Sequence, residues 1–142
     1  MWKTVGFICY LFILSIYDIR TRQIPVVWLA IGGMAAFVNM MYLCLCQPSL
    51  EIVVEIWKSC LPGIVMLIAA RFSGKIGGGD GCVLLVAGSI LGSVKIMAVF
   101  AGSLMLVAVT AAILLIFRKV SKNDKLPFVP FLAISAILPE VL

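Results

Sequence analysis

Five apolar runs constrain this chain more than any other feature: Trp2 to Ile19, Val26 to Cys46, Ile52 to Ala70, Cys82 to Phe117 and Leu126 to Leu142. A helix needs about 20 such residues to cross the hydrocarbon core of a bilayer, and each run approaches or exceeds that length. Only 12% of the 142 residues are charged, against roughly 25% in a soluble domain, and the mean hydropathy is +1.25. The solvent expected around this chain is lipid.

The run from Cys82 to Phe117 is too long for one span, because as a continuous helix it would measure about 54 Å against a core of about 30 Å. A break is expected at Gly92-Ser93-Val94-Lys95, where a permissive backbone and a charge coincide. That divides the run into a short helix near 82–91 and a full one near 95–117. The expected fold class is all-α, a polytopic membrane helical bundle of about six transmembrane segments forming one domain over residues 1–142. The fourth segment is short and shielded by its neighbours, since loose backbone at membrane depth must be kept from lipid. Lys3 and the apolar stretch after it superficially suit a secretory signal, but Asp18, Arg20 and Arg22 follow where a small-residue cleavage site belongs. A first membrane helix is the better reading. No repeat, low-complexity segment or soluble domain is evident.

The formal charge of +5 does not point to nucleic acid, because the basic residues lie between apolar runs and form no patch interleaved with aromatics. Arg20, Arg22, Arg71, Lys75, Arg118, Lys119, Lys122 and Lys125 fall in the first, third and fifth loops, leaving only Lys3, Lys58 and Lys95 elsewhere. The positive-inside rule then makes the odd loops cytoplasmic and puts both termini outside. The second loop carries Glu51 and Glu55 with no Lys or Arg between Gln47 and Trp57, which suits the outer side. The five cysteines lie within or at the ends of apolar runs, and without histidine they offer no zinc spacing. They read as small buried apolar residues; a disulfide involving Cys44, Cys46 or Cys60 is left unassigned.

Acidic residues are scarce, and two share an address. Asp18 closes the first helix and Asp80 opens the fourth, both at the expected cytoplasmic face, while Asp124 sits among lysines and reads as a solvated loop charge. Two carboxylates brought together at low dielectric share a proton, so one can activate water while the other protonates a substrate carbonyl. The chain has no histidine for a serine or cysteine triad and no HExxH set. Taken singly, each aspartate has a simpler reading: Asp80 as the N-cap of a helix starting at Gly81, and Asp18 as an interfacial charge paired with Arg20 or Arg22.

The surrounding sequence argues against the simpler readings. Gly77-Gly78-Gly79-Asp80 is a GxGD pattern, whose glycines permit strained backbone and let a substrate strand approach without side-chain obstruction. It is joined by Asp18-Ile19-Arg20-Thr21-Arg22-Gln23-Ile24-Pro25 after the first helix and by Leu126-Pro127-Phe128-Val129-Pro130 opening the last. With these segments the chain resembles the prepilin peptidase family, which includes type IV prepilin and archaeal preflagellin peptidases, over nearly its whole length. Arg22, Ile24, Pro25, Gly77, Gly79, Asp80, Pro127 and Pro130 match the family pattern; Val26 stands where Asn is usual and Cys82 where Lys is usual.

The resemblance implies an aspartic-type endopeptidase of a prokaryotic cytoplasmic membrane, with Asp18 and Asp80 catalytic and without metal or other cofactor. Gly77, Gly78, Gly79, Arg22, Pro25, Pro127 and Pro130 would bind substrate or shape its loops. The substrate would be a pilin-like precursor whose short basic leader stays in the cytoplasm, and components of a pilus or secretion assembly would be partners. Larger family members also carry a cytoplasmic cysteine-tetrad domain and methylate the new N-terminus; nothing here matches that domain, so cleavage without N-methylation is expected. The Tyr17-Asp18 pair and the GxGD pattern also resemble presenilin-type intramembrane proteases, which have more spans than this chain supplies. A non-catalytic subunit of a pilus or secretion system is the alternative of another class. Within the dyad, Asp80 at a helix N-terminus is expected to be the base and Asp18 at a helix C-terminus the acid.

Overall fold

The computed structural model describes residues 2–21, 24–46, 48–73, 77–117 and 127–141, and the regular structure within them is entirely helical. Six helices follow in order: α1 (Trp2–Thr21), α2 (Val26–Cys46), α3 (Leu50–Ser73), α4 (Gly78–Leu91), α5 (Ser93–Ile116) and α6 (Val129–Val141). Three of them, α2, α3 and α5, are long and apolar enough to cross a membrane, and α4 is a shorter apolar helix. With 14 residues in α4 and 13 in α6, these two rise only about 20 Å each, less than the full hydrocarbon thickness.

Local chemistry explains where the helices start and stop. The carbonyl of Pro25 accepts the N–H groups of Trp28 at 3.1 Å and Leu29 at 3.3 Å, which opens α2. The break expected in the long apolar run falls at Gly92, with φ +80° and ψ 170°. Its N–H donates to the Gly88 carbonyl and closes α4, while its own carbonyl accepts the Ile96 N–H and opens α5. Only glycine adopts this backbone without strain.

α5 is capped from outside its own chain segment. One carboxylate oxygen of Glu55, on α3, accepts the Ser93 N–H at 3.1 Å and the Ser93 hydroxyl at 2.7 Å. The first N–H groups of a helix have no partner within it, and here another helix supplies one. Glu55, expected only as a charge at the outer loop, therefore fixes the elbow between α4 and α5.

α4 is the hub, packing most extensively on α3 and also on α2, α5 and α1. Glycines allow the close approach to α3. Leu67 lies over Gly81, Leu85 lies over Gly63, and Gly88 abuts the backbone carbonyl of Ser59. Such small-residue contacts bring helix backbones together where no hydrophobic drive exists between helices. α6 packs between α1 and α5, where the Ser135 hydroxyl donates to the Val99 carbonyl at 2.8 Å.

Leu11, Leu14, Val83, Leu84, Ile96, Val99, Val129 and Leu132 form the fully buried interior. The outer surface is equally apolar, with Val26, Met34, Leu45, Phe72, Val94, Met105 and Ile116 all largely exposed. A soluble protein rarely exposes so large an apolar surface. This is the anatomy of a membrane helical bundle.

Candidate functional site

Phe7, Leu11, Leu14 and Asp18 are all buried, and their spacing of four, three and four residues places them on one stripe of α1. The stripe that packs the bundle therefore ends in a carboxylate. Its neighbours Tyr17, Ile19 and Arg20 point outward and are exposed, whereas Asp18 is only 5% exposed.

Asp18 meets α6. The Val129 N–H donates to Asp18 Oδ2 at 3.2 Å, and the Phe128 N–H acts on the same carboxylate. The first turn of α6 has few other donors to place: Pro130 has no N–H, and the N–H groups of Phe131 and Leu132 both go to the Phe128 carbonyl at 3.1 Å. Asp18 thus caps a helix far away in sequence, in the way Glu55 caps α5. The alternative of a simple pair with Arg20 does not hold. Arg22, the other candidate partner, and the loop charge Asp124 lie outside the described residues.

Asp80 is the third residue of α4, and it is not the N-cap of a helix starting at Gly81, because α4 begins at Gly78 and its N-cap is Gly77. The half-buried Asp80 side chain bends back over the helix start, so that a Cβ on Gly77 would lie 3.4 Å from Asp80 Oδ2. Asp18 and Asp80 act on one another electrostatically. The end of α1 and the starts of α4 and α6 therefore converge, and they bring two of the chain's six acidic residues into one site.

The glycines before Asp80 differ from expectation in one respect. Gly77 has φ −69° and ψ 126°, ordinary extended backbone, and Gly78 and Gly79 already belong to α4; Gly92 is the only glycine with positive φ among the described residues. Their contribution is a missing side chain and not strain. Gly78 is exposed with no atom within 4 Å of where a Cβ would be, whereas a Cβ on Gly79 would lie 3.1 Å from Ile24 Cδ1. Ile24 thus lies across the start of α4, while Pro25 opens α2. Pro127 and Pro130 are half-buried beside the buried Phe128 and Val129.

The expected contrast between the aspartates rested on Asp80 lying at a helix N-terminus and Asp18 at a helix C-terminus. It loses its premise, because Asp18 also faces a helix N-terminus, that of α6. The Val129 and Phe128 amides are the site members that the sequence did not reveal. Their only signal was the pair of prolines flanking them. Among the described residues no cluster of Cys, Asp or Glu side chains could hold a metal ion. The five cysteines are unpaired thiols and are not the buried residues expected: Cys9, Cys44 and Cys46 are exposed on the apolar outer surface, and Cys60 and Cys82 are half-buried.

A separate apolar cavity of about 810 Å³ lies between α1, α2 and α4, lined by Phe7, Tyr10, Gly32 and Asn39 among others. It sits eight or more residues along α1 from Asp18, about 12 Å of helix rise. Its lining carries no acid.

No family model matches the sequence, and no curated protein or solved structure matches it.

Proposed function

We propose that this chain is a membrane aspartic endopeptidase that removes the short basic leader from pilin-like precursors, with Asp18 and Asp80 as its dyad. The observation that carries the reading is the convergence of these two carboxylates, from the end of α1 and the start of α4, near enough for the charge of Asp18 to act on Asp80, beside the side-chain-free surface of Gly77 and Gly78. The motif resemblance to prepilin peptidases supports it independently.

In this reading the dyad holds one proton between two carboxylates. The ionised member takes a proton from water as its oxygen attacks the scissile carbonyl carbon, and the protonated member gives its proton to the carbonyl oxygen. Collapse of the tetrahedral intermediate breaks the C–N bond: the leaving amine takes up the proton held by the dyad, and a hydroxyl of the intermediate returns its proton to the other carboxylate as the new carboxyl group forms, which restores the one-proton dyad. Bare glycine backbone lets an extended strand lie close to the acids, whereas a helical strand would hide its carbonyl. All six helices lie in the membrane in this reading, with α4 and α6 as short segments and the dyad at the cytoplasmic face.

The test is hydrolysis by the purified protein, in liposomes, of peptides carrying a basic leader, a glycine and an apolar helix. Cleavage after the glycine at the leader–helix junction is expected, and moving the cut several residues into the helix, or replacing the glycine with a bulky residue, is expected to reduce it strongly. Efficient cutting deep in the helix favours a presenilin-like protease. No hydrolysis at all favours a non-catalytic assembly subunit.

Orientation has its own test. In a cysteine-free background, cysteines placed at Ser73 and Ser121 are expected to react only with reagents that reach the cytoplasm, and one at Ser49 only with reagents applied outside. The inverse labelling pattern would place the aspartates on the wrong face for a leader peptide.

A further inference from the structure

We propose that the first turn of α6 is the positioning element for Asp18 and that Val129 is its central residue, acting through its backbone N–H; this rests on the dyad reading above. The N–H donates to Oδ2 at 3.2 Å, and both partners are buried, Val129 completely and Asp18 almost so. Buried N–H groups and carboxylates need partners. This pair holds the carboxylate in one orientation, with the Phe128 N–H acting on it as well.

The flanking prolines explain why the contact is specific. A capping oxygen ordinarily accepts from the second or third N–H of a helix. Pro130 has no such donor, and the Phe131 N–H is already bonded to the Phe128 carbonyl. What remains are the amides of Phe128 and Val129, and both act on Asp18. Pro127 and Pro130 therefore shape the site by subtraction, narrowing the choices open to the carboxylate. The Glu55–Ser93 cap shows the same device, but there the carboxylate also binds the serine hydroxyl and serves the elbow between α4 and α5. The Asp18 carboxylate, by contrast, acts on a second aspartate, Asp80.

The decisive variant is Val129→Pro. Position 129 is the first of α6, where proline fits the helix and merely lacks the N–H, and its apolar bulk is close to that of valine. Val129→Ala keeps the N–H and is the control. For purified protein and a leader peptide, Val129→Pro is expected to lower kcat about 100-fold, the scale of a small misplacement of a catalytic group, with KM near wild type and a melting temperature lowered about as much as in Val129→Ala, which loses buried bulk instead of the hydrogen bond. Val129→Ala is expected to keep kcat within about threefold, since it keeps the donor. Pro130→Ala, a substitution of low folding risk, adds an N–H at the second helical position to compete for Asp18, and kcat is expected to fall again with KM unchanged. Infrared or carbon-13 spectra of labelled aspartates are expected to show the Asp18 carboxyl signal displaced in Val129→Pro and unmoved in Val129→Ala.

Equal kcat in Val129→Pro and Val129→Ala, or losses that follow melting temperature alone, would overturn the positioning role while leaving the peptidase reading intact. A wild-type protein that cleaves no leader peptide would overturn the peptidase reading, and this inference with it. The unmoved Asp18 carboxyl signal in Val129→Pro would deny the contact itself, whatever the activity.

Discussion

Asp18→Asn and Asp80→Asn are each expected to reduce leader-peptide cleavage by at least about 10²- to 10⁴-fold, the range set by loss of a general acid or base. Asparagine is nearly isosteric with aspartate but can neither give nor take the proton that passes through the dyad. The choice matters most at position 18, because asparagine keeps a carbonyl oxygen that can still accept the Val129 N–H, so α6 retains its cap. A role confined to capping α6 would therefore leave Asp18→Asn close to wild type in activity. A catalytic role removes activity while the melting temperature stays nearly unchanged. The measurement is kcat/KM on a leader peptide beside thermal unfolding in the same detergent. Either variant retaining more than about a tenth of wild-type activity is incompatible with a working dyad, whose loss costs at least 10²-fold. Asp124→Asn is expected to be neutral.

Gly88→Ala is expected to be the most destabilising single-methyl change in the bundle, at roughly 3 kcal/mol, the upper part of the usual range for overpacking. A Cβ on Gly88 would collide with the carbonyl oxygen and carbon of Ser59. That obstacle is backbone, so no rotamer change relieves it and α3 must move away from α4. Gly81 faces a mixed obstacle, the Leu67 side chain and the Leu67 nitrogen at 3.0 Å, and the cost there is smaller. Gly33→Ala is the control: nothing lies within 4 Å of its Cβ position, and alanine favours helix over glycine by about 1 kcal/mol, so the change is neutral or mildly stabilising. Denaturant unfolding in mixed micelles measures all three. Because α4 carries Asp80, Gly88→Ala is also expected to lower cleavage. Gly88→Ala and Gly33→Ala of equal stability would contradict the close α3–α4 packing.

The helices could be read from the sequence because their causes are local. Apolar runs of the right length, Pro25 before α2 and Gly92 between α4 and α5 act within a few residues of where they stand. The stripe of Phe7, Leu11, Leu14 and Asp18 is periodic too, but only burial in the bundle shows that Asp18 faces inward. Length and hydropathy set a limit on this reading: among the described residues only α2, α3 and α5 are long and apolar enough to cross a membrane, fewer than the six segments expected from the apolar runs.

What the sequence by itself determined, then, is a chain of apolar helices with two acids near helix ends at one expected face. The tertiary structure decided which helix each acid serves. Asp18 meets Val129 across 111 residues and Glu55 meets Ser93 across 38, and no propensity or period encodes contacts at such separations. From sequence alone a carboxylate is judged by the helix that carries it. In the folded bundle its field and hydrogen bonds come from whichever helix terminus packing brings to it, and for Asp18 that terminus belongs to α6.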